Sequence, residues 1–341
     1  GADTTTHIQL HGAIGETHTI PSLEDLGGLE FGTLGICTGF VGICTQPGPK
    51  FVAERQREAE GGVSAGLPNN RLTLDVTVFE RRNVHVLEQG PSGDSGGGIV
   101  RDDGLEITVG ARPIITRAVT WDVSFNAFVN QNKLLRTLEP SIMSNSGLLV
   151  QRAGYPVYGI WTTPYTYADA NHDGVIEPSE VTVASAPAYA GPARPTREAA
   201  LSTTVALWHG RLTIGALADY RGGYVLPDLA SEYQAESGTS RALNLPGASL
   251  ADQAAAIAAT MSPFYSGYVE RVNAIRWREL SISTPLVAGP ASMRLTLAVR
   301  NLALWTNYHG PDPDADVTTG NEAELRLPQP RTWLVRLSVD L

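Results

Sequence analysis

Apolar and polar residues alternate along several stretches of the chain, each about ten residues long. The apolar positions of one face are Leu72, Leu74, Val76 and Val78; Leu105, Ile107, Val109 and Ala111; Trp121, Val123, Phe125, Ala127 and Val129; and Trp333, Val335, Leu337, Val339 and Leu341. A period of two residues predicts β-strands. Alternation sustained over about ten residues is typical of tilted strands that cross a bilayer, with lipid on one face and water on the other.

Ten such strands are predicted, near residues 5–14, 57–67, 71–82, 104–116, 119–131, 197–208, 211–222, 272–284, 291–302 and 331–341. Short connections between them alternate with long ones, which lie near residues 83–103, 132–196, 223–271 and 303–330. Short turns at one end and long loops at the other are typical of outer-membrane barrels. A soluble sandwich has shorter strands and more evenly spaced turns. We therefore predict an all-β, antiparallel transmembrane β-barrel fold, in which residues 1–341 supply about ten strands of a larger barrel with long extracellular loops.

The connection at residues 132–196 is the longest, and we predict it to be a large extracellular excursion. It contains an apolar piece at 148–161, which would break the even strand parity if it crossed the membrane. In another long connection, Ser249 precedes an alanine-rich run. Because serine is a favoured N-cap, a helix is predicted over residues 249–261.

Composition and charge narrow the function classes. The net charge of −10 argues against a nucleic-acid partner, which requires a basic surface. No apolar run approaches the ~18 residues of a transmembrane helix. The chain begins at Gly1 without a signal peptide, so we expect either a mature start or a missing N-terminal part.

The two cysteines, Cys37 and Cys44, flank a glycine-rich segment. In an oxidising compartment this spacing predicts a small disulfide loop, with two free thiols as the alternative. Two thiols without a nearby histidine pair do not predict a zinc site.

Residues 169–180 match the D-x-[DN]-x-[DN]-G-x5-E pattern of a calcium loop. The predicted ligands are oxygens of Asp169, Asn171, Asp173, Glu177 and Glu180, together with the backbone carbonyl of Val175. Pro178 and the lack of clear flanking helices argue against a helix–loop–helix hand. The prediction is a structural Ca²⁺ in an external loop, and the alternative is an Asx-rich turn without metal.

The segment Gly93-Asp-Ser-Gly-Gly97 is similar to the nucleophile loop of trypsin-like proteases. Such a nucleophile also requires a histidine base and an orienting acid, and no histidine segment with that family's pattern precedes Ser95. The surrounding composition favours an ordinary loop between two strands. We therefore predict that the chain is not an enzyme and requires no cofactor.

Two further sets of residues are candidates for solute or membrane contact. The polar strand face carries Asp75, Glu106, Arg112, Asp122, Asn126, Asn130, Arg294, Arg300 and Arg336, which either line a solute path or pair with one another across strands. Aromatic residues are candidates for a membrane-interface girdle (Trp121, Trp208, Tyr220, Trp305, Tyr308) or for stacking on a sugar in external loops (Trp161, Tyr165, Tyr167).

Several segments resemble the C-terminal half of the SusC/RagA-type TonB-dependent receptors. They are Glu54-Arg-Gln-Arg-Glu-Ala-Glu60, Gly66-Leu-Pro-Asn-Asn-Arg-Leu-Thr-Leu-Asp-Val-Thr-Val-Phe79, Gly154-Tyr-Pro-Val-Tyr-Gly159, Tyr167-Ala-Asp-Ala-Asn-His-Asp-Gly174, Arg276-Trp-Arg-Glu-Leu-Ser281, Val299-Arg-Asn-Leu-Ala-Leu-Trp-Thr-Asn-Tyr308 and Pro330-Arg-Thr332. They occur in the family's order over most of the chain. The chain departs from the family in ending at Leu341, where the family usually has Phe, and in lacking the plug domain and TonB box.

The resemblance implies an outer-membrane protein that imports a bulky nutrient, such as a glycan, a peptide or a metal chelate. It implies that this chain is a fragment, the C-terminal barrel part of a plugged receptor. The implied partners are the TonB complex, reached through the missing N-terminal part, a SusD-like lipoprotein, outer-membrane lipid and the imported solute. Two alternatives stay open at this stage. One is a complete soluble secreted β-rich protein that binds calcium and a glycan or protein partner, and the other is an autonomous ten-stranded barrel.

Overall fold

The computed structural model describes residues 5–19, 34–37, 40–43, 53–90, 93–137, 142–143, 149–157, 159–262, 266–288, 291–314 and 328–340. The strands are β1 (His7–Thr19), β2 (Leu34–Cys37), β3 (Phe40–Ile43), β4 (Glu54–Gly66), β5 (Leu72–Gly90), β6 (Gly93–Ile115), β7 (Val119–Arg136), β8 (Ile142–Met143), β9 (Leu149–Gln151), β10 (Gly159–Thr162), β11 (Tyr165–Tyr167), β12 (Val181–Val183), β13 (Ala188–Pro192), β14 (Arg197–Leu207), β15 (Leu212–Pro227), β16 (Val269–Ala288), β17 (Ala291–Thr306) and β18 (Thr332–Asp340). The helices are α1 (Leu229–Glu236), α2 (Arg241–Asn244) and α3 (Leu250–Met261), with 3-10 turns at Pro68–Asn70 and Pro178–Glu180.

Ten strands form one antiparallel sheet, which we call the wall. Its order is β1-β4-β5-β6-β7-β14-β15-β16-β17-β18, so every neighbour in space is also the next wall strand along the chain. This confirms the predicted ten antiparallel strands. Within the described residues, β1 pairs only with β4 and β18 only with β17, so the wall has two free edges. None of the described helices is long and apolar enough to cross a membrane.

One face of the wall is apolar from edge to edge. The cross-strand register places in one row Leu10, Val63, Val76, Ile107, Ala127, Ala199, Tyr220, Ile275 and Trp305. Side chains of this face are exposed, including Ile14 at 89% and Leu10 at 78%. Among the described residues no second layer covers this face, which is the arrangement that lipid contact requires and a soluble sandwich excludes.

The two ends of the wall differ. Tight turns join β4 to β5, β6 to β7, β14 to β15 and β16 to β17 at one end, the short-turn end. The connections at the other end, the long-loop end, are longer, with one exception. The prediction of a long loop over residues 83–103 is wrong, because β5 continues to Gly90 and β6 begins at Gly93.

The composition of this segment favoured a loop in the sequence, but the structure extends it as a hairpin whose charges pair both across and along its strands. The guanidinium of Arg101 lies 3.2 Å from the carboxylate of Glu80 and 2.7 Å from that of Asp103. The hairpin strands are 19 and 23 residues long. Since about 9–11 residues cross a bilayer, these strands extend well beyond it.

Strands β8–β13 and helices α1–α3 lie at the long-loop end, and we call them the outer module. Strands β13, β10, β9 and β8 form their own four-stranded sheet, so the apolar piece at 148–161 lies outside the wall, as predicted. The predicted helix is α3, and the backbone N–H of Asp252 donates to the Ser249 hydroxyl at its N-cap. A buried core joins α3 to the neighbouring loop through Ile176, Val181, Ala254, Ile257 and Ala258. β7 extends to Arg136, so the wall reaches into the segment predicted as the excursion.

Candidate solute-contacting site

The face of the wall opposite the apolar band is polar, and several of its charged residues pair across strands, which is one of the two roles considered for them. The Arg112 Nε lies 2.7 Å from the Asp122 carboxylate, and the Arg300 Nε lies 2.8 Å from the Glu279 carboxylate. Asn126 accepts a 3.0 Å hydrogen bond from the Thr108 hydroxyl. We call this surface the inner face. It presents solvated, paired charges, which suit a water-filled interior.

A cavity of about 540 Å³ lies where the inner face meets the outer module. Its lining combines amides, charges and phenols from both parts, namely Asp102, Asn130, Asn132, Lys133, Tyr155, Tyr189 and Arg194. This volume is in the range of small-ligand pockets. We call it the outer pocket.

The outer pocket is held in shape by hydrogen bonds from β7. The Asn132 side chain donates to Asp102 at 2.6 Å and accepts from the Val157 backbone N–H at 2.8 Å, which ties the wall to the outer module. The side-chain oxygen of Asn130 is buried and has no hydrogen-bond partner within the described part of the chain. A buried acceptor without a partner favours a ligand or water that donates a hydrogen bond there.

Three aromatic rings support the outer pocket from the side of the four-stranded sheet. The ring centroids of Tyr155 and Trp161 are 5.0 Å apart, and those of Tyr155 and Tyr189 are 4.9 Å apart. Burial, helped by the neighbouring Tyr155, raises the pKa of Tyr189 to about 12, so its hydroxyl stays a hydrogen-bond donor near neutral pH. Trp161 was a candidate for stacking on a sugar, but it is only 6% exposed and its ring packs within this cluster.

Tyr308 is also placed differently from the prediction. It is 8% exposed, and its hydroxyl donates to the backbone carbonyl of Pro227 at 2.7 Å. It lies just after β17, packs against Tyr224, Leu226 and Val272, and does not belong to a membrane-interface girdle. Trp208 and Trp305 are exposed at 61% and 55%, as girdle residues would be.

The predicted calcium ligands are brought together in one tight loop. Asp169 accepts backbone N–H bonds from Asp173 at 3.2 Å and Gly174 at 3.1 Å, and both Glu180 carboxylate oxygens accept backbone N–H bonds from the loop. Gly174 has φ +80°, which is the sharp turn that the pattern requires.

The rest of the calcium loop is anchored to α3. The Gln253 side chain accepts from the Ile176 backbone N–H at 2.9 Å and donates to the Gly174 carbonyl at 3.2 Å. An all-oxygen donor set fits a hard cation. Among the described residues, however, no three His, Cys, Asp or Glu side chains converge in a geometry that holds a metal. The calcium site, with Glu177 and the Val175 carbonyl among its ligands, therefore stays a prediction.

The predicted disulfide and the protease-like segment are the two remaining features from the sequence. Cys44 and the side chain of Cys37 lie outside the described residues, so the disulfide stays a prediction. Gly93, Asp94 and Ser95 lie in β6 and pair with the end of β5, so the protease-like segment is part of a strand and not of the loop predicted for it.

The outer pocket was not predicted as a unit, although Asn130 was among the candidates. Lys133, Tyr155 and Arg194 come from three segments that only the fold brings together. The one indication in the sequence was their position beside the longest connection, next to strand ends.

No protein-family model matches the sequence, and no curated protein matches it significantly. Solved structures do match. The RagAB peptide transporter covers 99% of this chain with a TM-score of 0.70 at 16% identity. The RagAB peptide importer in its open-open state covers 98% with a TM-score of 0.76 at 17% identity. The chain spans 41% and 40% of the length of these two matched chains. The chain therefore has the fold of part of the RagAB peptide transporter, in agreement with the sequence resemblance.

Proposed function

We propose that this chain forms part of the wall of an outer-membrane, TonB-dependent importer of a bulky, polar nutrient. The observation that carries the proposal is the two-faced wall: a continuous exposed apolar face on one side and paired charges on the other. Free strand edges are not tolerated in a bilayer, so we propose that further strands complete the barrel.

The outer pocket is the proposed contact for the solute on its way into the barrel. Its amides, phenols and charges are suited to hydrogen-bonding a polar chain, and the unpartnered Asn130 oxygen favours a donor group. The solved relatives carry peptides, so a peptide is the first solute class to test. We further propose that the TonB complex supplies the energy for import. A SusD-like lipoprotein is the proposed partner at the outer module.

The alternative of a soluble secreted β-rich protein requires a second layer over the apolar face. The described residues provide none, and Ile8, Leu10, Trp333 and Val335 are each more than 70% exposed. This observation favours the membrane proposal.

The test is uptake of fluorescent short peptides, with and without TonB, by cells that produce the complete importer in which this chain is proposed to form part of the wall. We expect uptake only in the presence of TonB. Asn130→Ala should lower uptake by roughly 2- to 12-fold, because a hydrogen bond contributes about 0.5–1.5 kcal/mol. Asn126→Ala is the matched control, since Asn126 lies on the inner face outside the outer pocket. Uptake that persists at full rate without TonB would refute the proposal.

A further inference from the structure

Three arginines lie together on the inner face, in the half of the wall nearer the long-loop end. Arg221 belongs to β15, and Arg276 and Arg278 belong to β16. The Arg276 side chain is 6% exposed and that of Arg278 is 21% exposed. The pairing of β15 with β16 shifts register between Leu217 and Ala218, which leaves Arg278 as the extra residue of a bulge. Bulges commonly redirect a side chain at functional positions.

The wall itself supplies few carboxylates for these arginines. Arg278 binds Asp219 through two parallel contacts of 2.7 Å each, Nε to Oδ1 and Nη2 to Oδ2. The Arg221 Nε lies 3.9 Å from the Asp219 carboxylate and 4.0 Å from that of Glu198. Arg276 has no ion pair with any described wall residue.

The remaining negative charge comes from the connection after β17. Residues 311–314, with the sequence Pro-Asp-Pro-Asp, fold back onto the inner face, and we call them the strap. Asp312 pairs with Arg276. The Asp314 carboxylate lies 2.9 Å from the Arg276 Nε, 2.6 Å from the Arg278 Nη1 and 3.4 Å from the Arg221 Nη1.

The strap is held on the inner face mainly by ion pairs. The Asp312 and Asp314 side chains are 3% and 7% exposed. Asp312 also accepts backbone N–H bonds from Asp314 at 2.9 Å and Gln329 at 3.3 Å, which orient it toward the arginines. Among the described residues, the strap makes one further polar contact with the wall besides the ion pairs, a 3.5 Å hydrogen bond from the Tyr224 hydroxyl to the Pro313 carbonyl.

The charge balance determines what can replace the strap. Without Asp312 and Asp314, Arg276 would be buried with no carboxylate among the described residues, and a buried unpaired charge is strongly unfavourable. A group that took the place of the strap would therefore have to bring its own negative charge. Two carboxylates on alternate residues of an extended segment reproduce the chemistry of Asp312 and Asp314.

We propose that Arg221, Arg276 and Arg278 form a carboxylate-binding site for acidic peptides on the inner face, which Asp312 and Asp314 occupy as an intramolecular ligand. The inference rests on the proposed import function, since a solute reaches this face through the barrel. It adds a substrate class: peptides with two carboxylates on alternate residues compete with the strap, whereas neutral peptides do not.

The test is equilibrium binding of a fluorescent Ac-Asp-Pro-Asp-amide peptide to the detergent-extracted protein, with Ac-Asn-Pro-Asn-amide as the neutral probe. In the variant D312N/D314N we expect the acidic peptide to bind at least tenfold more tightly than in the unaltered protein. The neutral peptide should be unaffected. Adding Arg276→Gln to this variant should abolish the gain. Asp122→Asn is the matched control, because Asp122 pairs with Arg112 on the same face outside the cluster. Equal acidic-peptide affinity in the unaltered protein and D312N/D314N would overturn the proposal.

A second measurement needs no substitution and guards against misfolding of the variants. In the unaltered protein, saturating acidic peptide should accelerate amide exchange at Asp314 and Gln329, whose N–H groups bond to Asp312. The neutral peptide should leave both rates unchanged. Unchanged exchange with the acidic peptide would contradict the strap's displacement. Binding in detergent does not depend on TonB, so failure of this site and failure of the proposed import are observed separately.

Discussion

Placing a charge on the apolar face at mid-membrane depth tests the assignment of the two faces. Leu201 lies in the middle of β14, is 46% exposed, and has Phe125 and Ala218 beside it on the neighbouring strands. The next residue, Ser202, points to the inner face with Ser124 and Leu217 as its register partners. The pair Leu201→Arg and Ser202→Arg therefore adds the same charge one residue apart, on opposite faces.

The expected effect of Leu201→Arg follows from transfer into the bilayer. An arginine on the lipid face near the midplane costs about 2–4 kcal/mol. This is roughly a 30-fold to 1000-fold loss in the ratio of folded to unfolded protein, since 1.36 kcal/mol is tenfold. Ser202→Arg places the charge in water and should change stability much less.

The assay is urea-dependent unfolding of the protein in lipid vesicles, followed by its heat-modifiable mobility on gels. We expect a lower folding free energy for Leu201→Arg only. Equal losses for the two variants, or a larger loss for Ser202→Arg, would refute the assignment of the faces.

Three further predictions concern the outer module and the long loops. Burial, followed by the nearby Glu236 and Asp228, raises the pKa of Glu232 from 4.5 to about 8, so the folded state retains a proton that the unfolded state releases between these values. The contribution of Glu232 to the free energy of unfolding should be fully present below pH 4.5. It should fall as the pH rises toward 8, by at most about 1.4 kcal/mol per pH unit. The protection factors of the α1 amides, which are exchange rates corrected for the intrinsic acceleration with pH, should therefore fall over this range, and Glu232→Gln should remove that fall; an unchanged fall in that variant would exclude Glu232 as the cause. Calcium should raise the melting temperature of the protein, and Asp169→Ala should abolish the rise; an equal rise in this variant would exclude the predicted loop. Alkylation without reductant should leave Cys37 and Cys44 unmodified, and labelling of both would show free thiols.

The alternation of apolar residues was sufficient to predict the wall. All ten wall strands overlap the predicted stretches, because a strand with lipid on one face and water on the other alternates apolar and polar residues between its bulges. The helix at residues 250–261 was predictable from its Ser249 cap, since that contact is local in sequence.

Features that depend on distant pairing were not predictable. The hairpin of β5 and β6 beyond the bilayer has charged residues on both strands, and Glu80 pairs with Arg101 across them. Arg276 and Asp312 are 36 residues apart, and nothing local in either segment indicates that they meet. Trp161 and Tyr308 are aromatic residues of the kind found in exposed binding sites and membrane-interface girdles, but both are buried in the structure. Their burial depends on tertiary contacts that the sequence pattern does not encode.

The most direct test of the two-faced wall is site-directed spin labelling along β14, with Cys37 and Cys44 replaced by serine. Nitroxides at positions 199–204, one at a time, are measured in lipid vesicles for accessibility to oxygen, which concentrates in lipid, and to a water-soluble nickel complex. We predict strict alternation: positions 199, 201 and 203 accessible to oxygen, and positions 200, 202 and 204 accessible to nickel. Uniform accessibility along the strand, or alternation of the opposite phase, would contradict a wall with lipid on its apolar face and water on its inner face.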